Sequence, residues 1–274
     1  MTLAAEVPLY GPAARHYLRG RPPYSAHLLR LLTDELGLDG TGRLLDVGCG
    51  PGVLVVQLAP AFGEVVGVDP DPVMLDEAAR HAAQRGVVAT WIEARAERIP
   101  ELGLAPVRLA TFGQSFHWTD RDAVAEAVFD VLEPGGSIAL ILHDIDHGAA
   151  PTPAPAPPIP HDALRDLVRR YLGPQDRAGA GLRPEFTEPS EAAIARSRFG
   201  TFRKLYAPGR ADLVRDVDGV IDSYLSTSFA APHQFGDELD AFVADARELL
   251  VAASPNGRFW DWPGDTWILL ATKP

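Results

Sequence analysis

Between Asp46 and Asp69 the sequence carries the residue types that would hold a nucleoside-bearing ligand. Leu44-Leu45-Asp46-Val47 is an apolar run that ends in Gly48-Cys49-Gly50-Pro51-Gly52, and Val65-Val66-Gly67-Val68 is a second that ends in Asp69. Glycines at a strand-to-helix turn let a ligand lie on bare backbone, where a Cβ would stand in the way. A carboxylate at the tip of the next strand, about 20 residues on, accepts from a ribose diol in doubly wound folds. A dinucleotide asks for G-x-G-x-x-G. Here position 53 is Val, and the third glycine comes one residue early, at Gly52. Asp46, two residues before the first glycine, would repel a pyrophosphate and favour a cationic ligand.

Two histidines stand where chemistry would follow. In open α/β sheets ligands bind outside the carboxyl ends of the strands, and Phe112 to Asp120 closes the fourth apolar run. His117 in that segment is a candidate general base, since its ordinary pKa lies near neutrality; beside Trp118 it equally caps or packs the turn. Gln114 cannot move protons and is read as a cofactor contact. His143, at the tip of the fifth run, is the second candidate base. His143-Asp144-Ile145-Asp146-His147 offers metal-ligand types, but consecutive loop residues rarely converge on one ion, and no metal is expected. Cys49 is the single cysteine, which excludes an internal disulfide and a thiolate metal site; it is read as packing. Phe259, Trp260, Trp262 and Trp267 are either core or the wall of an acceptor pocket.

The pattern D-x-G-x-G-x-G, set by Asp46, Gly48, Gly50 and Gly52 with Asp69 beyond, resembles motif I of the class I S-adenosylmethionine-dependent methyltransferases. The resemblance implies S-adenosyl-L-methionine as cofactor, with the turn carrying its methionine part and Asp69 its ribose. Tyr17-Leu18-Arg19-Gly20-Arg21-Pro22-Pro23-Tyr24 looks like the Y-x-x-x-R-P-x-Y segment of small-molecule members. By that likeness Arg21 pairs with the cofactor carboxylate, as a guanidinium fork suits, and Tyr17 packs over it; otherwise Arg21 is a surface residue at a helix start. Arg95-Ala96-Glu97-Arg98-Ile99-Pro100 is similar to the family's G-D-A-E-x-L-P segment, where adenine is recognised. Arg95 replaces the Asp, which leaves the Ala96 amide and Glu97 to serve. Met74, in the first turn after Asp69-Pro70, is either the apolar face against adenine or a core methionine. Gln114 to Asp120 resembles the Q-x-F-H-W-F-D segment of a subgroup that methylates metabolites. Members of the catechol type that use Mg²⁺ have an Asp where this chain has Gln114.

These residues need a scaffold, and the rest of the sequence supplies its pattern. Apolar runs predict strands at 43–47, 64–68, 88–93, 107–112 and 136–142, with helices at about 52–62, 71–85 and 120–132 between them. Six prolines between Ala149 and Pro160 make an extended crossover or lid that cannot join a sheet. Helices follow at 161–172 and 190–198 around a Gly/Pro-rich loop at 173–189, then a strand at 201–206, helices near 213–226 and 236–253, and a last strand at 267–272. The expected fold is α/β: a Rossmann-like, seven-stranded, mostly parallel sheet with an antiparallel last strand, helices on both faces and a helical lid or insert. One domain over 1–274 is expected, with a helical cap at 1–42, a cofactor-binding core at 43–147, a Pro-rich crossover with helices at 148–200, and the last two strands with their insert at 201–274.

Composition bounds the rest. A chain of 274 residues, 46% hydrophobic and 23% charged, is globular in character. Its net charge of −12 and lack of a basic run disfavour nucleic acid as partner. No apolar run reaches the roughly 18 residues of a membrane span, and the first 21 residues carry no signal-peptide pattern, so a cytoplasmic protein with no membrane partner is expected, monomer or homodimer. The leading expectation is methyl transfer to a small-molecule acceptor on O, N or C; the rival is a cofactor-retaining pericyclase-type or non-catalytic protein on the same fold.

Overall fold

The computed structural model describes residues 13–143, 153–175, 177–178, 181–182, 188–209, 212–261 and 265–274. Their contacts divide the chain into two compact units. The larger takes in residues 24–143, 188–209 and 265–274; the smaller takes in 13–23, the described residues of 153–182, and 212–261.

The larger unit is built on a seven-stranded sheet. Its strands are β1 (Arg43–Val47), β2 (Glu64–Asp69), β3 (Thr90–Glu93), β4 (Val107–Gly113), β5 (Leu132–His143), β6 (Arg203–Ala207) and β7 (Thr266–Thr272). The spatial order is β3-β2-β1-β4-β5-β7-β6. The first five strands pair in parallel, and β7 runs antiparallel between β5 and β6. The expected antiparallel last strand is therefore present, one place in from the edge. Alternate residues of each strand enter two cores. Leu45 and Val47 of β1 and Leu140 of β5 join Val124 and Val128 of helix Arg121–Val131 on one face. Leu44 and Ile141 join Leu32 of helix Leu28–Leu36 and Leu54, Val55 and Leu58 of helix Val53–Leu58 on the other. Both faces are thus dry, which is what near-continuous apolar strands require.

This topology makes the site. The chain steps outward from β1 to β2 to β3, then returns to start β4 on the other side of β1. The connections leaving β1 and β4 part in opposite directions, and the gap between them is the crevice of an open α/β sheet.

Several boundaries differ from the sequence pattern, for physical reasons. Strand β5 starts at Leu132, not Gly136, because Gly135 and Gly136 exchange backbone bonds with Lys273 beyond β7 (3.0 and 2.8 Å). The helix expected at 52–62 ends at Leu58, and Pro60 sits in a following 3-10 turn.

The smaller unit is mainly helical, with helices Ala14–Gly20, His161–Leu172, Val217–Leu225 and Leu239–Ala253. Its core gathers Leu164, Leu167, Val220, Ile221, Phe242, Leu250 and Phe259. The helix expected at 213–226 begins as a strand, Val214–Asp216, paired antiparallel to Arg258–Trp260. Extended backbone there buries Arg215 against Asp261, and Asp216 then caps the helix by accepting the Gly219 N–H at 2.7 Å. Pro157 and Pro158 of the proline-rich segment are docked in this unit: the Pro157 carbonyl accepts the Trp260 N–H at 2.7 Å, and Pro158 bridges Trp260.

Candidate functional site

The carboxyl ends of β1, β2, β4 and β5 bring most of the candidate residues to one edge of the larger unit. From β1 the chain enters the glycine turn, and the Gly48 and Cys49 N–H groups both donate to the Val68 carbonyl (2.8 and 3.0 Å), which lashes the turn to β2. Gly48, Gly50 and Gly52 all have positive φ (63°, 50° and 73°), a conformation that side chains disfavour. Their surroundings separate their roles. A Cβ on Gly48 would lie 2.5 Å from the Ser115 Cβ, whereas one on Gly50 would meet nothing within 4 Å among the described residues. Gly50 is the open rung of the turn, the place where a ligand can approach bare backbone.

Asp69 closes β2 and is 8% exposed. Its Oδ2 accepts the Gly50 N–H at 2.8 Å and its Oδ1 accepts the Asp71 N–H at 2.9 Å. Burial pushes its carboxyl up to about 6, although those two N–H groups hold it down. Each oxygen keeps a second lone pair, so accepting from ribose hydroxyls remains open to it. Pro70 is exposed, and Asp71 and Pro72 start helix Pro72–Gln84, with Asp71 Oδ1 capping the Val73 N–H at 2.9 Å. Met74 on that helix is buried at 2% exposure, a core position as much as a ligand face.

Asp46 is 1% exposed in the middle of the sheet and accepts the Thr111 hydroxyl at 2.7 Å. Thr111 is its register partner on β4. Burial pushes the Asp46 carboxyl up to about 7 against that bond, and the nearby Asp69 charge adds to the rise. Burial likewise raises the Cys49 thiol. A thiol so held is no nucleophile, in line with a packing role.

On β4 the chain leaves Gly113 through Gln114, the one non-glycine residue with positive φ (57°) among those described. Its N–H donates to the Ile141 carbonyl on β5 at 3.1 Å. Ser115 then donates to the Val47 carbonyl at 2.6 Å, so the ends of β1, β4 and β5 are tied together here. His117 lies in the 3-10 turn Phe116–Trp118 with its ring 5.2 Å from that of Trp118. His143, the last residue of β5, stacks on Tyr24, with ring centroids 4.4 Å apart and planes 13° from parallel. The Tyr24 hydroxyl lies 2.6 Å from where a Gly113 Cβ would stand.

Ala96 is buried and begins the 3-10 segment Ala96–Leu102. Glu97 accepts the Asp120 N–H at 3.1 Å, with Arg95 3.7 Å away. Its carboxylate thus joins the β3 loop to the start of helix Arg121–Val131.

Tyr17 and Arg21 belong to the smaller unit. There Arg21 stacks over the Tyr17 ring at 5.2 Å and donates to the Ser226 carbonyl at 2.8 Å. Phe259 and Trp260 are buried in that unit, whereas Trp267 belongs to β7 of the larger one, 40% exposed and edge-on to Tyr206. Phe259 and Trp260 are thus core residues of their unit, and Trp267 stands on the exposed side of its strand. Asp144, Asp146, His147 and Trp262 lie outside the described residues, and no metal-holding cluster occurs among the described ones.

Three contributors were not singled out from the sequence. Asp71 Oδ2 is buried with no hydrogen-bond partner among the described residues, an acceptor beside Asp69 that a ligand donor could satisfy. Tyr24 was visible only as the end of a motif. Thr111 shows itself only through register with Asp46. An open glycine rung, a buried carboxylate with free lone pairs and an orphaned acceptor fit a nucleoside cofactor.

Comparison with known proteins agrees. Residues 44–136 match a family model described as a methyltransferase domain. An uncharacterized methyltransferase of Mycobacterium tuberculosis is 36% identical over 137 residues, covering 50% of this chain and 53% of the relative. A ubiquinone biosynthesis O-methyltransferase of Psychrobacter cryohalolentis is 34% identical over 114 residues, covering 39% and 43%. The chain spans about half the length of the curated relatives first matched. A proposed type II methyltransferase from Anaeromyxobacter dehalogenans shares the fold, with TM-score 0.51 and 24% identity over 92% of this chain and 97% of that one. Residues 44–136 are thus similar to a methyltransferase domain, and the relatives matched over that stretch are methyltransferases.

Proposed function

We propose that this chain binds S-adenosyl-L-methionine at the Gly48–Gly52 turn and transfers its methyl group to a small-molecule acceptor. The observation that carries the reading is the pairing of Asp69 with Gly50: a buried carboxylate with spare lone pairs, tied at 2.8 Å to the one turn glycine whose Cβ position is open. When bound, the cofactor supplies an electrophilic methyl carbon on a sulfonium.

The protein's own part is alignment and exclusion of water. Asp69 and Asp71 would orient the ribose, and Met74, Ala96 and Glu97 would border adenine. Gln114 would contact the cofactor from the end of β4. Tyr17 and Arg21 are assigned to the cofactor carboxylate by family likeness. His117 and His143 are the two candidates to take a proton from a phenol or amine; a carboxylate acceptor would need neither. No helix among the described residues is long and apolar enough to cross a membrane, and a cytoplasmic monomer or homodimer acting on a metabolite, not on nucleic acid, is the accompanying reading.

Titration calorimetry with S-adenosylhomocysteine, followed by a mass-shift screen of phenols, amines and carboxylic acids with S-adenosylmethionine, tests it. Binding of S-adenosylhomocysteine and a gain of one methyl mass on some acceptor are expected. Tighter binding of NAD than of S-adenosylhomocysteine would overturn the cofactor assignment.

A further inference from the structure

Strand β2 contains an unexpected residue. Val65-Val66-Gly67-Val68 places a glycine amid β-branched neighbours in a buried strand. Glycine weakens a strand interior and marks a place where another group comes close. That group is Trp91, the register partner of Gly67 on β3. A Cβ on Gly67 would lie 2.5 Å from Trp91 Cζ3 and 2.6 Å from Cε3. The same indole reaches the turn: a Cβ on Gly52 would lie 2.8 Å from Trp91 Cη2 and 3.2 Å from the Ala78 Cβ. Cys49 completes the contact, its Sγ 2.9 Å from the Gly67 Cβ position. The indole therefore fills the space that two glycines leave, one in β2 and one at the N-cap of helix Val53–Leu58.

We infer that Trp91 is a positioning residue for the cofactor turn: its indole, seated against Gly67 and Gly52, sets where the Gly48–Gly52 segment rests over β2 and hence how tightly the adenosyl cofactor binds. The inference rests on the cofactor reading above. Packing transmits it, because the half-buried ring sits against the close-packed cluster that holds Cys49, Leu54 and Val65, and such packing resists compression and passes strain on. With the ring removed, the turn loses its floor beneath Gly52, and the 2.8 Å bond from Gly50 to Asp69 loses its alignment. With a methyl added at Gly67, the rigid ring is forced toward the turn from the opposite side. Either change reaches the site without altering any group proposed to touch the cofactor.

The test uses the full chain at a temperature well below its melting transition, with S-adenosylhomocysteine as probe. Parent protein is expected to bind it by calorimetry and to change its tryptophan emission on saturation. Trp91→Ala should bind at least tenfold more weakly. Trp91→Phe should bind with intermediate affinity and lose more than half of the saturating emission change. If Trp91→Ala does not fold, Gly67→Ala reads the same coupling and should weaken binding by a similar factor. In the Trp91→Ala background, Gly67→Ala should cost less than in the parent, since of the groups it collides with only the Cys49 Sγ, 2.9 Å from that Cβ, then remains. Trp91→Ala binding within twofold of the parent, or an undiminished emission change in Trp91→Phe, overturns the inference while leaving the cofactor site intact. Absence of binding by the parent would instead overturn the cofactor reading itself, and this inference with it.

Discussion

Asp69 Oδ2 accepts the N–H of Gly50 at 2.8 Å, so the acid at the tip of β2 holds the glycine turn before any ligand arrives. It also holds the start of its own helix through the Asp71 N–H. Asp69→Ala should therefore act twice. Loss of a charge-assisted acceptor from two hydroxyls should weaken S-adenosylhomocysteine by about 2–3 kcal/mol, and loss of the two backbone bonds should lower the melting temperature of the free protein. Calorimetry and thermal denaturation read the two effects separately. A variant with parental affinity would remove Asp69 from the site.

Gly48 and Gly50 should fail in different ways. Gly48→Ala drives a methyl toward Ser115 and should show first as lost stability. Gly50→Val places its Cβ where no atom of the described residues lies within 4 Å. It should abolish cofactor binding while far-ultraviolet circular dichroism still reports a folded sheet, with only the about 1–2 kcal/mol expected for a non-glycine residue at positive φ. Equal loss of folding in both variants would contradict the assignment of Gly50 to the ligand.

The free protein should lose stability as pH rises from 5 to 8. Asp46 and Asp69 titrate near 7 and 6, raised chiefly by burial, while unfolded carboxyls titrate near 4. Between the unfolded and folded values the native state holds the extra protons, so raising the pH removes stability across that window. The loss is complete only about one unit above the Asp46 value, near pH 8. Asp46→Asn should flatten the slope of melting temperature against pH; an unchanged slope would show that other groups govern it.

Gln114 adopts the left-handed conformation at φ 57°, which costs a side chain of the order of 1 kcal/mol. Gln114→Gly keeps the N–H that donates to Ile141 and should raise stability by up to about 1 kcal/mol. Turnover should fall if the side chain contacts the cofactor. Denaturant unfolding paired with a methyl-transfer assay distinguishes relief of strain from loss of function.

His117 and His143 are separable by kinetics once an acceptor is in hand. If His117 takes the acceptor proton, His117→Ala should lower kcat by roughly 10²–10⁴-fold with little change in cofactor affinity and should remove the acidic limb of the pH profile. Retention of near-parental kcat would pass the role to His143, which the Tyr24 ring holds at the end of β5.

The residues from Asp46 to Asp69 already specified a glycine turn, the acid beyond it and the alternating α/β pattern, because those features are local. Apolar runs of strand length and caps such as Asp120 depend on near neighbours in sequence, and the strand and helix positions from 43 to 131 follow closely from them. What sequence could not supply is contact between distant segments. The extended start at Val214–Asp216 answers to Asp261, 46 residues on, which Arg215 must reach to be buried. The aromatic residues from 259 to 267 read as one group along the chain, yet the fold sends Phe259 and Trp260 to one core and Trp267 to an exposed sheet face. Trp91 reads as an ordinary strand aromatic until pairing sets it against Gly67 and the turn brings Gly52 onto its edge. Spacing chose the residue types; only the packing of β2, β3 and the turn decided which of them support the site, because close approach is a property of pairs that the linear sequence keeps apart.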